Sequence, residues 1–236
     1  MKSIDSQSVD LILADLPYGV TNNSWDVVIP FNKLWKEYDR IIKDHGCIAL
    51  FGQEPFSSKL RMSNKRMYRY DWTWVIPEVS NFLNAHKMPL RAHQDICIFY
   101  KKLPKYNPQM RTGFRPYKSK KSGSLSSNYR IDLKAASRYK GTSSKGTRFP
   151  IDVLKYSRSN SKRLHPTQKP VPLLIYLIKT YSNEGDLVLD NVMGSGSTGI
   201  AAIETNRNFI GMEQDESYFK TAVERIDAKM KGKSNE

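Results

Sequence analysis

Asp15-Leu16-Pro17-Tyr18-Gly19 follows directly on the apolar run Val9-Asp10-Leu11-Ile12-Leu13-Ala14. A carboxylate, two backbone carbonyls and an aromatic ring therefore stand at the open end of a buried strand, where ligands bind in open α/β sheets. The group set suits a planar, amino-bearing substrate. Asp15 and the Leu16 carbonyl accept from N–H donors, and Tyr18 offers a surface to stack on. Pro17 biases Leu16 away from the helical region and holds its carbonyl in extended geometry. The plain alternative is a strand that ends in a Pro-Tyr-Gly turn, a common arrangement.

A second strand pattern, Asp186-Leu187-Val188-Leu189-Asp190, runs into Asn191-Val192-Met193-Gly194-Ser195-Gly196-Ser197-Thr198-Gly199 and then a helical pattern from Ile200 to about Asn206. Strand, glycine turn and helix make half of a nucleotide-binding unit, in which Gly194 and Gly196 let the backbone approach a ligand closely. The next strand pattern, 208–212, ends in Glu213, about twenty residues beyond the turn, where an acid accepts hydrogen bonds from ribose hydroxyls. No Lys follows the last glycine, which excludes a phosphate-cradling loop of the Walker type. Read alone, the stretch is also a tight turn closing a helix onto a sheet.

A third element, His165-Pro166-Thr167-Gln168-Lys169-Pro170, opens an apolar helix with Leu173, Leu174, Leu177, Ile178 and Tyr181 on its buried side. Thr167 is the candidate N-cap, and the prolines suit a first turn, where their missing N–H is harmless. Ordinary capping explains this element by itself, but not all three in one chain.

In that order and combination, Asp-x-Pro-Tyr after a strand, His-Pro-Thr-Gln-Lys-Pro, and Asp-x-x-x-Gly-Ser-Gly-Ser-Thr-Gly with a downstream Glu, the sequence resembles the β group of DNA amino-methyltransferases. The resemblance covers roughly residues 8–100 and 164–228. Members transfer a methyl group from S-adenosylmethionine to the exocyclic amino group of adenine or cytosine. The resemblance implies that Asp15, Leu16 (through its carbonyl), Pro17 and Tyr18 are catalytic. It puts Asp190, Gly194, Ser195, Gly196 and Glu213 at the cofactor, with Thr167, Lys169 and Pro170 framing the cofactor's methionine end. Leu16 stands where the common motif has proline; because the mechanism uses a backbone carbonyl, leucine should be tolerated. The leading Asp resembles adenine-modifying members, whereas cytosine-modifying members more often begin with Ser. Relatives also carry a short upstream strand whose Gly-Asp pair touches the cofactor's adenine. This chain begins fourteen residues before Asp15, so the expectation is an internal start at Met1 and weakened cofactor affinity.

Composition points to a nucleic-acid partner. The chain holds 38 Lys and Arg against 23 Asp and Glu, a net +15. Residues 101–163 carry 18 of those cations against only Asp132 and Asp152, while the remainder carries 20 against 21 acids. A polycation confined to one insertion is the footprint of a phosphate-backbone partner, which the family resemblance implies is double-stranded DNA. Arg111, Arg115, Lys120 and Lys121 are its candidate contacts, with Tyr106, Phe114, Tyr117, Tyr129, Tyr139 and Phe149 interleaved for stacking and packing. The alternative is a solvated basic linker, given the Ser/Gly content of 118–124 and 141–146. The two are compatible, since such segments order on binding. The stretch Asn81–Arg91 lies between strand patterns, and family analogy puts it near the active face, where Asn84, Lys87 and Arg91 would touch the displaced nucleotide; an ordinary charged surface loop is the other reading.

The elements that position these groups are an α/β set. Residues 46–51 and 96–100 read as buried strands, and 31–43 and 218–230 as amphipathic helices, the first with Leu34, Tyr38, Ile41 and Ile42 on one face. Alternating strands and helices predict a doubly wound, mostly parallel Rossmann-like methyltransferase sheet. The expected division is a catalytic half over 1–100, a basic target-recognition insertion over 101–163 and a cofactor half over 164–236. Cys47 and Cys97 lie in apolar strand runs and read as buried free thiols. His45, His86, His93 and His165 show no ligand spacing, so no metal is expected. No stretch approaches twenty apolar residues and no signal peptide is visible, which leads to the expectation of a cytoplasmic protein, monomeric or homodimeric. The function expected is site-specific adenine-N6 methylation of flipped-out DNA bases. Transfer to cytosine N4, methylation of RNA, and a catalytically impaired DNA-binding protein remain as rivals.

Overall fold

The computed structural model describes residues 1–21, 23, 26–118, 143–157 and 168–234. They fall into two compact units, Met1–Asn107 with Ile151–Glu236, and Pro108–Pro150.

The first unit is built on one seven-stranded sheet. Its strands are β1 (Val9–Ala14), β2 (Ile42–Gly52), β3 (Tyr68–Ser80), β4 (Arg91–Phe99), β7 (Val153–Lys155), β8 (Leu187–Asp190) and β9 (Asn208–Gly211). The spatial order is β7-β3-β4-β2-β1-β8-β9. Neighbours β1/β2, β1/β8, β8/β9 and β3/β7 are parallel, and β4 runs antiparallel to both β2 and β3. The helices are α1 (Phe31–Ile41), α2 (Phe56–Ser63), α3 (Val171–Tyr181), α4 (Ser197–Glu204) and α5 (Glu216–Ser234).

Every residue of β1 is buried, and the strand period of two sends them to opposite faces. Leu11 and Leu13 join one core cluster with Leu173, Leu174, Leu177 and Ile178 of α3 and Ala201 and Ala202 of α4. Val9, Ile12 and Ala14 join the other, with Leu34, Trp35, Tyr38 and Ile41 of α1 and Phe56 and Leu60 of α2. Two apolar faces explain why β1 reads as a nearly continuous apolar run. The result is the expected doubly wound α/β fold.

Several boundaries differ from the sequence expectation, each for a packing reason. Helix α1 stops at Ile41, because Ile42 already pairs with Val9 in the parallel ladder. Helix α4 begins at Ser197, directly after the last left-handed residue of the glycine turn, Gly196. The N-cap position of α3 is Pro170, with no side-chain cap hydrogen bond; Thr167, expected there, lies outside the described residues. Strand β4 starts at Arg91 rather than Ile96, and the strand before Asn81, β3, runs the full length Tyr68–Ser80 with Trp72, Trp74 and Ile76 buried on one face. Cys47 and Cys97 are buried and free. Among the described residues no helix is long and apolar enough to cross a membrane.

The second unit is narrower than the 101–163 insertion that charge suggested. Lys105 bonds Asp10 and Asp186, Asn107 caps carbonyls of Lys179 and Ser182, and β7 pairs with β3, so the flanks belong to the first unit. Within Pro108–Pro150, Tyr117–Lys118 (β5) pairs antiparallel with Ser143–Ser144 (β6). The Arg148 guanidinium sits 4.4 Å from the ring centre of Tyr117 and 5.2 Å from that of Phe114.

Candidate active site

The carboxyl ends of β1 and β8 open onto a cleft of about 590 Å³ lined by Asp15–Tyr18, Asp26, Lys169, Asp190–Ser195, Ser197, Thr198 and Glu213. The two halves of the site are thus adjacent strand ends, because β1 pairs directly with β8.

At the β1 end, Leu16 buries its side chain in the core, which fixes the backbone carrying its carbonyl. The Tyr18 hydroxyl donates to Asp15 Oδ1 at 2.5 Å. One face of the Tyr18 ring stacks on Phe56 at 4.9 Å between centroids. Burial, and then the neighbouring Asp15 charge, push the Tyr18 hydroxyl well above its ordinary value, so it remains a proton donor. The chain beyond Tyr18 is organised by Asp26, whose carboxylate accepts from the backbone N–H of Gly19 (2.8 Å), Val20 (2.9 Å) and Thr21 (2.7 Å). Burial alone would raise the Asp26 carboxyl; these hydrogen bonds outweigh it and hold the group below its ordinary value.

Lys169 enters from the chain leading into α3. Its ammonium donates to Asp15 Oδ2 and lies 5.0 Å from the Phe51 ring centre. A nearly buried ammonium requires a counter-charge, and Asp15 supplies it. Lys169 is therefore engaged by Asp15, where resemblance had put it at the methionine end of the cofactor. Pro170, next in the chain, is buried and is not among the residues lining the cleft.

At the β8 end, Asp190 accepts from Thr198 Oγ1 at 2.6 Å and from the Val192 N–H at 3.1 Å, which folds the turn back on the strand. Burial pushes its carboxyl up to about 7 against the pull of those two bonds, and the charges of Asp15 and Glu213 add to the rise. Glu213 Oε2 accepts the Gly194 N–H at 2.8 Å, while Oε1 takes the N–H groups of Gln214 and Asp215. Oε1 thus has both lone pairs engaged, and Oε2 keeps one for a ligand. Arg225 of α5 donates to the Ser195 carbonyl and hydroxyl. The Ser197 hydroxyl is buried at the cleft with no partner among the described residues.

Gly194 and Gly196 both have positive φ, 52° and 81°. A Cβ on Gly196 would lie 3.0 Å from the Ala222 Cβ, so this glycine's close approach is to α5 and it does not line the cleft.

Lys87 is exposed in the β3–β4 turn and Arg91 is the first residue of β4. Arg115 is exposed in the second unit, while Arg111 donates to the Phe149 carbonyl and packs over Phe114. Lys120 and Lys121 lie outside the described residues. Sequence reading missed Asp26, Phe56, Thr198 and Arg225. Thr198 had a signal, its place in the Gly-Ser-Thr-Gly turn; the others depend on contacts that no local spacing announces.

The sequence pattern of the DNA methylase family N6_N4_Mtase matches residues 9–224. The chain is 27% identical to type II methyltransferase M.HpaI of Haemophilus parainfluenzae, over 98% of this chain and 72% of that protein. It is also 27% identical to DNA adenine methyltransferase YhdJ of Escherichia coli K12, over 96% and 79%. The crystal structure of the M1.HpyAVI–SAM complex superposes with a TM-score of 0.60 at 25% identity, covering 92% of this chain and 89% of that one. With the cleft described above, this similarity over nearly the whole chain shows that the protein belongs to the DNA methylase family, the S-adenosylmethionine-dependent DNA amino-methyltransferases.

Proposed function

We propose that the protein methylates the N6 amino group of adenine in duplex DNA. The observation that carries this reading is the Asp15 carboxylate at the head of the Leu16-Pro17-Tyr18 turn, in the same cleft as the glycine turn. The likeness to YhdJ, named as an adenine methyltransferase, supports it.

The cleft chemistry fits S-adenosylmethionine: a partnerless buried hydroxyl at Ser197, an acceptor at Glu213 and backbone polar groups at Gly194 and Ser195. We assign these residues and Asp190 to holding it. When bound, the cofactor supplies an electrophilic methyl group on a sulfonium.

The protein's own groups do the rest. An adenine amino group is unreachable inside the stack, so the base must leave it. Tyr18, backed by Phe56, gives the extruded base a rigid surface. Asp15 and the Leu16 carbonyl accept its two amino hydrogens and draw the nitrogen toward a pyramidal, nucleophilic form, and the Asp15 carboxylate takes the proton the nitrogen loses on methylation. Lys169 and Tyr18 fix the carboxylate for that task. Positioning and preorganised charge carry the catalysis.

We assign the basic insertion, with Arg111, Arg115, Lys120 and Lys121, to target recognition, and Lys87 and Arg91 to the phosphates beside the flipped nucleotide. The deciding experiment is nucleoside analysis of DNA from a methylation-deficient host that expresses the protein. N6-methyladenine is the expected product. N4-methylcytosine would move the substrate to cytosine, and DNA without a methylated base would remove DNA as the substrate.

A further inference from the structure

The turn between β3 and β4 exposes apolar side chains at the edge of the sheet that holds the active site. Leu83 is 99% exposed, Phe82 65% and Met88 51%. Single exposed apolar residues are ordinary; an adjacent pair at the tip of one projecting turn is a different matter. Strand register fixes where that tip lies. Ala14, just before Asp15, pairs with Leu50, and Gly52 at the end of β2 pairs with Asp95 of β4. Arg91 opens β4 opposite Ser80, four positions further along. Asp15 is level with Phe51 and hence with Ile96, five positions from Arg91, so the base of the turn stands roughly 16 Å beyond Asp15 and two strands to the side, at about 3.3 Å per residue and 4.8 Å per strand.

The turn is self-supporting. Asn81 adopts the left-handed conformation at φ 75°, and the N–H groups of Asn84 and Ala85 donate to the carbonyls of Asn81 and Phe82 at 3.0 and 3.1 Å. Lys87 and Met88 close it onto the Asn84 carbonyl at 2.8 and 2.9 Å, and the Asn84 amide donates to Asn81 Oδ1 at 2.7 Å. The short 3-10 turn Phe82–Asn84 is thus held by backbone and asparagine groups, leaving Phe82 and Leu83 without a packing duty. Residues 81–94 contain Lys87 and Arg91 and no acid, a setting matched to phosphates on either side of an apolar tip.

We infer that this turn is a wedge that enters the DNA base stack, Phe82 and Leu83 occupying the space left by the extruded base. This rests on the reading of the protein as a DNA methyltransferase and adds the device that opens the duplex. Apolar side chains inserted between base steps unstack them, and cations beside them hold the backbone. The wedge keeps the vacated gap closed to the returning base, while Tyr18 holds that base in the cleft.

The test uses two duplexes carrying the site found by mapping wild-type methylation, whichever base bears the methyl, so a wrong base assignment leaves it intact. One is fully paired; the other has an abasic position opposite the target. Phe82→Ala and Leu83→Ala should each lower kcat/KM on the paired duplex by about tenfold and on the abasic one by less than about twofold, because a base with no partner needs little help to leave the stack. Unchanged rates on the paired duplex would overturn the wedge. So would equal losses on both duplexes. A change in the wild type's self-association on Leu83→Ala, with methylation unaltered, would assign the tip to a second copy of the chain instead.

Discussion

Lys169, two residues ahead of α3, holds its ammonium on the carboxylate of Asp15, 154 positions away in the chain. The other oxygen of the same carboxylate takes the Tyr18 hydroxyl at 2.5 Å. One acid is thereby fixed from two sides, by its own turn and by the segment entering a distant helix, with the Phe51 ring beneath the ammonium.

Loss of that acid should stop the chemistry without loosening the DNA. Asp15→Ala is expected to lower methyl transfer by at least about 10²-fold, the scale of a lost preorganised electrostatic group. DNA retention in filter binding should stay near wild type. Turnover within a few-fold of wild type would remove Asp15 from the reacting centre.

Lys169→Met separates a positioning role from a cofactor contact. If the ammonium chiefly fixes Asp15, kcat should fall about tenfold while the dissociation constant of S-adenosylmethionine moves little. Calorimetry beside steady-state kinetics distinguishes the two. A weaker cofactor with kcat intact would return Lys169 to the methionine end of the cofactor.

Glu213 supports the glycine turn through the Gly194 N–H as well as offering an acceptor to a ligand. Glu213→Ala should raise the cofactor dissociation constant by about tenfold, a loss of about 1.4 kcal/mol. Glu213→Gln, which keeps one acceptor oxygen, should lose less. Unchanged affinity in both variants would move the cofactor away from this end of β9.

Two acids should mark the pH dependence of stability with opposite signs. Asp190 is pushed up to about 7, so between an ordinary aspartate value of about 4 and that point the folded form keeps a proton the unfolded chain has lost. Its contribution is full below that window and gone once pH has risen through about 7. Asp26 is held low by its N–H donors; its contribution is full above the ordinary value and lost as pH falls through the lowered one. In urea melts across pH, Asp190→Asn should flatten the decline toward neutrality and Asp26→Asn the decline toward acid. Curves parallel to wild type in both variants would refute the two assignments.

DNA affinity should fall linearly with salt on logarithmic axes, with a slope of about −4 to −7 if four to eight phosphates are neutralised. Arg115→Ala should make that slope shallower by about 0.9. Lys102, bonded to Asp44 at 2.6 Å within the first unit, should leave it unchanged on replacement by Ala. The reverse pattern would move the DNA from the basic insertion to the flank of the catalytic unit.

By itself, the sequence determined the parts whose signals are local. The runs 9–14 and 187–190 announce buried strands, the glycines after Asp190 announce a turn, and their order with Asp-Leu-Pro-Tyr marks the family. The charge of the insertion is likewise plain in the order of residues. Only tertiary structure decided which of these groups meet. Lys169 reaches Asp15 because β1 and β8 are neighbours and α3 packs over them; Asp26 ties down the turn after Tyr18; Phe56 backs the Tyr18 ring; Gly196 leaves room for Ala222 of α5. Periodicity and turn chemistry act over a few residues, so they are written in short stretches of sequence. A buried ammonium finds its counter-charge, and a ring its neighbour, through sheet register and core packing, which bring distant residues together only once the whole chain has folded.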